Sequence, residues 1–205
     1  MLKVGLTGGY ATGKTFVARE LERLGCHLIY ADKLGHQVLL PDGEAYRPVV
    51  DAFGPEILDP NGLIDRKKLA AIVFASPELL DKLSCFVHPA VIRLEQQMLE
   101  AIRNQDSHAI AVIEAAILIE TERFKVFDRL IVTVCDPETQ IARAMKRDHV
   151  TREQACARIG KQLPNEEKIR HAQYVIDTSA SKEETLRQVR QIYRELEQLA
   201  ANQIG

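Results

Sequence analysis

A glycine-rich segment near the start of the chain has residue types and spacing that suit a bound phosphate. It reads Gly8-Gly9-Tyr10-Ala11-Thr12-Gly13-Lys14-Thr15 and fits the phosphate-loop pattern GxxxxGK[ST] at every fixed position. Gly8 and Gly13 let the backbone curl so that successive N–H groups point at a phosphate. Lys14 adds a cation for the β- and γ-phosphates, and the Thr15 hydroxyl can ligate Mg²⁺. A plain glycine-rich turn would not explain Lys14 and Thr15. We therefore predict a nucleoside triphosphate site formed by Gly8, Gly9, Tyr10, Ala11, Thr12, Gly13, Lys14, Thr15 and Phe16.

The residues on either side of this loop predict a strand before it and a helix after it. Leu2, Val4 and Leu6 form an apolar β-type run, and a helical run begins at about Lys14 and ends near Gly25. Such a helix directs the positive end of its dipole at the bound anion.

A carboxylate, Asp32, follows the second predicted strand, residues 27–31. Ligands of an open parallel sheet bind outside the carboxyl ends of its strands, so we expect Asp32 on the same rim as the phosphate loop. Asp32 can act on a substrate there, and it can also cap a helix that begins near Lys33.

Residues 33 to about 107 have little strand signal and predict a helical insertion. Turns rich in proline, glycine and aspartate separate helical pieces at 33–40, 44–53, 66–75, 77–86 and 89–104. We expect Pro89 to open the last of these helices, since proline suits a first turn. His88 is a candidate substrate-binding residue; its alternative is a buried or capping histidine.

Three more strands are predicted, at 109–113, 129–135 and 173–177, which makes the chain an α/β protein with a parallel sheet. Glu114 follows the first of them, where it can either organise water around Mg²⁺ or serve as a loop or cap acid. An amphipathic helix, capped by Ser181, follows the last strand.

A basic stretch follows the predicted strand at 129–135. Eight basic residues and four acids lie between Arg143 and Arg170. Arg143 and Arg147 are four residues apart and share one helical face, and Thr151 to Gln154 matches a capping box that starts another helix. Alone, these charges indicate a solvated surface; beside a phosphate loop they favour a lid over the phosphates. The basic residues are Arg143, Lys146, Arg147, Arg152, Arg158, Lys161, Lys168 and Arg170.

The bulk composition fits a globular protein of 205 residues, with 46% hydrophobic and 27% charged residues. A net charge of −2 indicates no nucleic-acid partner, and no membrane partner or obligate protein partner is indicated. Because a strand is predicted to begin at Leu2, we expect no signal peptide. We read the four scattered cysteines as buried residues in a reducing compartment, and expect a cytoplasmic protein.

Several classes of protein use a phosphate loop. A GTPase should carry an Asn-Lys-x-Asp motif, which this sequence lacks. An early carboxylate, a helical insertion and an arginine-bearing lid favour phosphoryl transfer to a small molecule, with water excluded by the lid. The alternatives left open are a kinase for a nucleoside, nucleotide or shikimate-like alcohol, and a nucleotide-dependent switch protein.

Several motifs together resemble those of the dephospho-CoA kinases over roughly residues 3 to 190. They are Leu6-Thr7-Gly8-Gly9 leading into Gly13-Lys14-Thr15, Ala31-Asp32, His88-Pro89, Ile117-Leu118-Ile119-Glu120, and Arg147-Asp148-x-x-Thr151-x-Glu153 running on to Arg158-Ile159 and Gln162.

This resemblance implies an enzyme that uses ATP, with Mg²⁺, to phosphorylate the ribose 3′-hydroxyl of dephospho-CoA. It implies a P-loop kinase fold, with a five-stranded parallel sheet flanked by helices, a helical substrate-binding insertion and a helical lid. The nucleotide-binding core would be 1–32, 108–142 and 171–205, the CoA-binding domain 33–107 and the lid 143–170. By position, Asp32 would take or orient the hydroxyl proton, Lys14 and Thr15 would hold ATP and Mg²⁺, and Arg143 and Arg147 would neutralise the phosphoryl group. The insertion, including His88, would receive dephospho-CoA.

The sequence departs from the family pattern at four places. In the phosphate loop, Ala11 replaces a glycine and Thr12 a serine, and the methyl group of Ala11 could crowd the loop. Tyr30 stands where a first acid is common, Ala116 where proline is usual, and Thr178 where an asparagine lies near the adenine.

Overall fold

The structure is a computed structural model and describes residues 1–202. Its sheet has five parallel strands in the order β2-β3-β1-β4-β5, which confirms the predicted sheet. The strands are β1 (Leu2–Gly8), β2 (His27–Tyr30), β3 (Ile110–Glu114), β4 (Arg129–Val134) and β5 (Tyr174–Asp177).

Single helices follow β1 and β5 in the described residues, whereas several helices follow one another between β2 and β3 and between β4 and β5. The helices are α1 (Lys14–Arg23), α2 (Ala31–Gln37), α3 (Tyr46–Phe53), α4 (Arg66–Val73), α5 (Pro77–Gln105), α6 (Pro137–Asp148), α7 (Arg152–Ile159), α8 (Asn165–Ile169) and α9 (Lys182–Ala201), with short 3₁₀ turns at Pro55–Ile57 and Arg123–Val126. None of the helices within residues 1–202 combines the length and the apolar character needed to cross a bilayer.

Local capping chemistry explains where the later helices begin. Before α6, the Asp136 side chain accepts a hydrogen bond from the backbone amide of Thr139. Before α9, the Ser181 side chain accepts one from the backbone amide of Glu184. Thr151 forms the predicted reciprocal capping box at the start of α7.

The chain divides into two compact units, which are described separately. The first contains Met1–Tyr30 and the chain from Ala101 onward; the second is Ala31–Glu100. In the first unit, α1 and α9 pack on the apolar strands, and the predicted stripe of α9 buries Val189, Ile192 and Leu196. In the second unit, Asp65 caps α4, because its carboxylate accepts hydrogen bonds from the backbone amides of Lys67 and Lys68.

Two expectations about the helical segment are wrong. Residues 77–86 and 89–104 belong to one helix, α5, with Pro89 in its interior. An interior proline forfeits one backbone hydrogen bond and costs about 3 kcal/mol; burial of Ala90 and Val91 just beyond it favours continuation of the helix. The helix near Lys33 begins earlier, at Ala31, so Asp32 lies in its first turn and is not its N-cap.

The cysteines also differ in part from expectation. Cys26 and Cys135 are buried, but Cys85 and Cys156 are exposed. All four are free thiols, and none forms a disulfide.

Candidate active site

The phosphate loop connects β1 to α1, and its lysine is hydrogen-bonded to carbonyl oxygens of the same loop. The Lys14 ammonium donates hydrogen bonds to the carbonyl oxygens of Gly8, at 2.8 Å, and Gly9, at 3.0 Å. Gly13 has a left-handed φ of 88°, which glycine adopts without strain. A Cβ atom on Gly8 would collide with the side chain and carbonyl oxygen of Thr133 on β4. Both glycines are therefore required by the local geometry.

The start of α1 offers groups that suit an anion and a cation. The first hydrogen bonds of α1 run from the amides of Phe16 and Val17 to the Gly13 carbonyl, so the amides before them precede the helical ladder and suit a phosphate. Thr15 is exposed at this place. Mg²⁺ is usually held by one or two protein oxygens together with substrate phosphates, so the Thr15 hydroxyl fits such an ion.

Ala11 does not crowd the loop in the way that the sequence suggested. Its backbone adopts the left-handed conformation, with φ of 61°, and its side chain is buried among Ile141, Ala144 and Ala155 of α6 and α7. The methyl group thus contributes to the contact between the loop and the basic helices.

Arg143 lies on α6 and is hydrogen-bonded to Thr178, the residue that follows β5. Its guanidinium donates to the hydroxyl of Thr178 at 2.7 Å and to the Thr178 carbonyl at 2.6 Å. The Thr178 hydroxyl in turn donates to the carbonyl of Thr12 in the phosphate loop, at 2.9 Å. Arg143, Thr178 and the loop therefore form one hydrogen-bonded chain.

Arg147 lies at the end of α6 and pairs with Asp148. Its guanidinium donates to both carboxylate oxygens, at 2.9 and 3.1 Å, and lies 4.8 Å from the ring centre of Tyr10. Arg158 from α7 also reaches Asp148, at 3.2 Å. Hydrogen bonds from Arg147 and Tyr10 lower the pKa of Asp148 to about 2. The structure thus brings both predicted lid arginines into networks that include phosphate-loop residues.

Two further predicted site residues, Asp32 and His88, lie in the second unit. The Asp32 side chain is exposed in the first turn of α2. Burial lowers the pKa of His36 on the same helix, with Arg66 adding to the effect and Asp32 opposing it. His88 is exposed on α5, so its alternative interpretation as a buried or capping histidine is wrong.

Glu114 is the last residue of β3 and is only 9% exposed. In the sheet it lies level with Leu6 of β1 and Tyr30 of β2. Its alternative interpretation as a loop or cap acid is therefore wrong, because it belongs to a strand.

Known proteins of one family resemble this chain over nearly its whole length. The model of the dephospho-CoA kinase family matches residues 2–184. The chain belongs to the dephospho-CoA kinase family. A dephospho-CoA kinase of Geobacter metallireducens is 44% identical to it, over 95% of this chain and 96% of that protein. A dephospho-CoA kinase of Aquifex aeolicus is 41% identical, over 96% of this chain and 98% of that protein.

Solved structures support the same fold. A protein from Thermus thermophilus superposes with a TM-score of 0.81 at 28% identity, covering 95% of this chain and 97% of its own. The dephospho-CoA kinase from Campylobacter jejuni superposes with a TM-score of 0.73 at 24% identity, covering 96% and 97%. The resemblance inferred from the motifs is thus confirmed, and the chain is a kinase with the P-loop fold.

Three contacts of this dephospho-CoA kinase family member were missed at the sequence level. They are the bond from Thr178 to the loop, the Tyr10–Asp148–Arg158 cluster, and an ion pair between Glu120 and the buried Lys168. Asp148, Arg158 and Glu120 lie within the motifs that carry the family resemblance, which was the available signal. Tyr10 and Lys168 gave no comparable signal, because one occupies a variable loop position and the other lies in a charge run.

Proposed function

We propose that this protein transfers the γ-phosphoryl group of ATP to the ribose 3′-hydroxyl of dephospho-CoA, which gives coenzyme A in the last step of its synthesis. The observation that carries the proposal is a phosphate loop whose lysine spans the loop carbonyls in a chain of the dephospho-CoA kinase family. Phosphoryl transfer needs positioning and charge neutralisation more than covalent help from the protein.

The phosphate loop and the start of α1 would bind the nucleotide. Lys14 would exchange its bonds to the carbonyls of Gly8 and Gly9 for bonds to the β- and γ-phosphates, which are stronger because both partners are charged. Thr15 would contribute its hydroxyl to Mg²⁺. When bound, Mg²⁺ supplies positive charge that offsets the charge on the phosphate oxygens.

Arg143 and Arg147 would act as the cationic groups of the lid, proposed for residues 143–170. Arg143 is half-buried and hydrogen-bonded through Thr178 to the loop, so its charge has a fixed place relative to the loop. Arg147 is more exposed, so a bound phosphoryl group can reach its guanidinium. A low-dielectric, preorganised charge stabilises developing negative charge without reorganisation at the moment of reaction.

Asp32 would take or orient the proton of the acceptor hydroxyl. Its carboxylate is exposed, which a group that meets a substrate requires. His88 and the helical segment that contains it would receive dephospho-CoA, and the exposed position of His88 agrees with such a role. ATP and dephospho-CoA are the proposed partners, and the free state of all four cysteines supports a reducing, cytoplasmic location.

The direct test incubates the protein with ATP, Mg²⁺ and dephospho-CoA and looks by mass spectrometry for one added phosphoryl group. Asp32→Asn should lower the turnover number by about 10²–10⁴, as expected for a lost general base, while ATP binding measured by calorimetry is retained. Lys14→Met is the matched control for the nucleotide side, because it should lose both ATP binding and transfer.

A near-normal rate for Asp32→Asn would refute the role of its carboxylate. ADP release without a phosphorylated acceptor would point to hydrolysis, and faster release with a nucleoside or another alcohol would contradict the proposed substrate.

A further inference from the structure

Tyr10 occupies the third position of the phosphate loop, and its backbone is held from two sides. Its amide donates to the side-chain oxygen of Gln162, at 2.6 Å, and its carbonyl accepts from the side-chain amide of Gln140, at 2.7 Å. Gln140 lies on α6, and Gln162 follows α7. This part of the loop is therefore bound to both ends of the helix pair α6–α7.

The Tyr10 side chain makes a second set of contacts with the same helices. Its hydroxyl donates to the Asp148 carboxylate and accepts from the Arg158 guanidinium at 2.9 Å. The guanidinium groups of Arg147 and Arg158 lie 4.8 and 5.7 Å from the centre of its ring, within the range of cation–π attraction. One aromatic side chain thus contacts one carboxylate and two arginines.

We infer that Tyr10 is a positioning residue that docks α6–α7 on the phosphate loop and, through Asp148, holds Arg147 and Arg158 beside it. The inference rests on the proposed function of the lid. It extends that proposal to Tyr10, Asp148 and Arg158.

The physical reason lies in the freedom of arginine side chains. A long, flexible cation loses rotamer freedom when it engages a phosphate, and preorganisation reduces that loss. Asp148 orients Arg147 through two parallel hydrogen bonds, a geometry that fixes direction as well as distance. The ring of Tyr10 adds a face on which both guanidinium groups rest. A leucine or isoleucine at this position would provide neither the hydroxyl nor the face.

The test compares Tyr10→Phe, which keeps the ring, with Tyr10→Leu, which removes the ring and the hydroxyl. We expect kcat to fall about 5-fold in Tyr10→Phe, because a hydrogen bond to a charged group is lost. In Tyr10→Leu we expect a fall of about 30-fold, because the cation–π contacts are lost as well. The KM for ATP should stay within about 2-fold, since ground-state phosphate binding by the loop amides and Lys14 is retained.

Two further variants separate positioning from general stability. Ser181→Ala removes the cap of α9, a helix outside the proposed lid, and should lower the melting temperature while kcat stays within about 2-fold. Asp148→Asn provides a double-mutant cycle: if Tyr10 acts through Asp148, then Tyr10→Phe should change kcat far less in that background than in the parent. Fully multiplicative effects would overturn the proposed route through Asp148.

A measurement without substrate distinguishes this inference from the proposed function. Backbone hydrogen exchange across residues 140–162 of the ligand-free protein should rise about tenfold in Tyr10→Leu, because the helix pair opens more often. Unchanged exchange would overturn the inference, and so would raised exchange with an unchanged kcat. A different result would show that the proposed lid chemistry itself is wrong. In that case the Arg147→Met variant would keep the kcat of the parent protein.

Discussion

Neutralising Glu120 should destabilise this protein more than neutralising its partner, Lys168. The Lys168 ammonium donates a hydrogen bond to the Glu120 carboxylate at 2.6 Å. The Lys168 side chain is fully buried, at 0% exposed, whereas the Glu120 side chain is 22% exposed. Glu120 follows β3 in the chain, and Lys168 lies on α8. The pair therefore joins the segment after β3 to the short helix before β5.

The difference in exposure sets the expected magnitudes. Glu120→Gln leaves a fully buried ammonium group without a charged partner. It should lower the free energy of unfolding by about 3 kcal/mol. This is the lower end of the range for a broken buried pair, because glutamine still accepts a hydrogen bond. Lys168→Met leaves a carboxylate that water can reach, so the expected cost is about 1 kcal/mol. The double variant should fall within about 1 kcal/mol of the parent, because it leaves neither charge buried without its partner.

Urea unfolding followed by circular dichroism measures these free energies. The matched control is Glu184→Gln, which makes the same chemical change in an exposed pair with Arg187 and should cost less than about 1 kcal/mol. If Glu120→Gln proves no more destabilising than Lys168→Met, then burial of the lysine does not set the energetics of the pair, and the reasoning fails.

Two other predictions concern buried groups of the first unit. Burial, with the charge of Glu197, raises the pKa of the Cys26 thiol from 9.0 to about 12; since the unfolded thiol ionises at lower pH, the free energy of unfolding should fall as pH rises across this range. Cys26→Ala should lessen that fall in pH-dependent urea unfolding, whereas the same change at the exposed Cys85 should not. Ala11→Gly relieves a left-handed conformation worth about 1–2 kcal/mol but loses a buried methyl worth about 0.8 kcal/mol and adds glycine flexibility worth about 0.5–1 kcal/mol. Its unfolding free energy should therefore differ by less than about 1 kcal/mol, and a larger loss would mean that packing against α6 and α7 dominates.

Features that depend on neighbouring residues were predictable from the sequence. The phosphate loop is one continuous segment, so its glycines, Lys14 and Thr15 could be recognised by spacing alone. The caps at Thr151 and Ser181 involve amides three residues away, and both predicted helix starts follow from that local chemistry. The parallel sheet follows from apolar runs separated by helical stretches.

Features that depend on residues distant in the chain were decided only by the tertiary structure. The contacts of Tyr10 with Asp148 and of Glu120 with Lys168 join residues 138 and 48 positions apart, and no local pattern selects such partners from the many charges available. The continuation of α5 through Pro89 is similar, because local propensity alone would end the helix there. The sequence by itself determined the type of loop, the order of the five strands along the chain and the family resemblance. The packing of distant segments decided which charges are buried, which arginines form hydrogen bonds and what the Ala11 side chain contacts. These features depend on contact and desolvation energies that arise only when separate elements pack together.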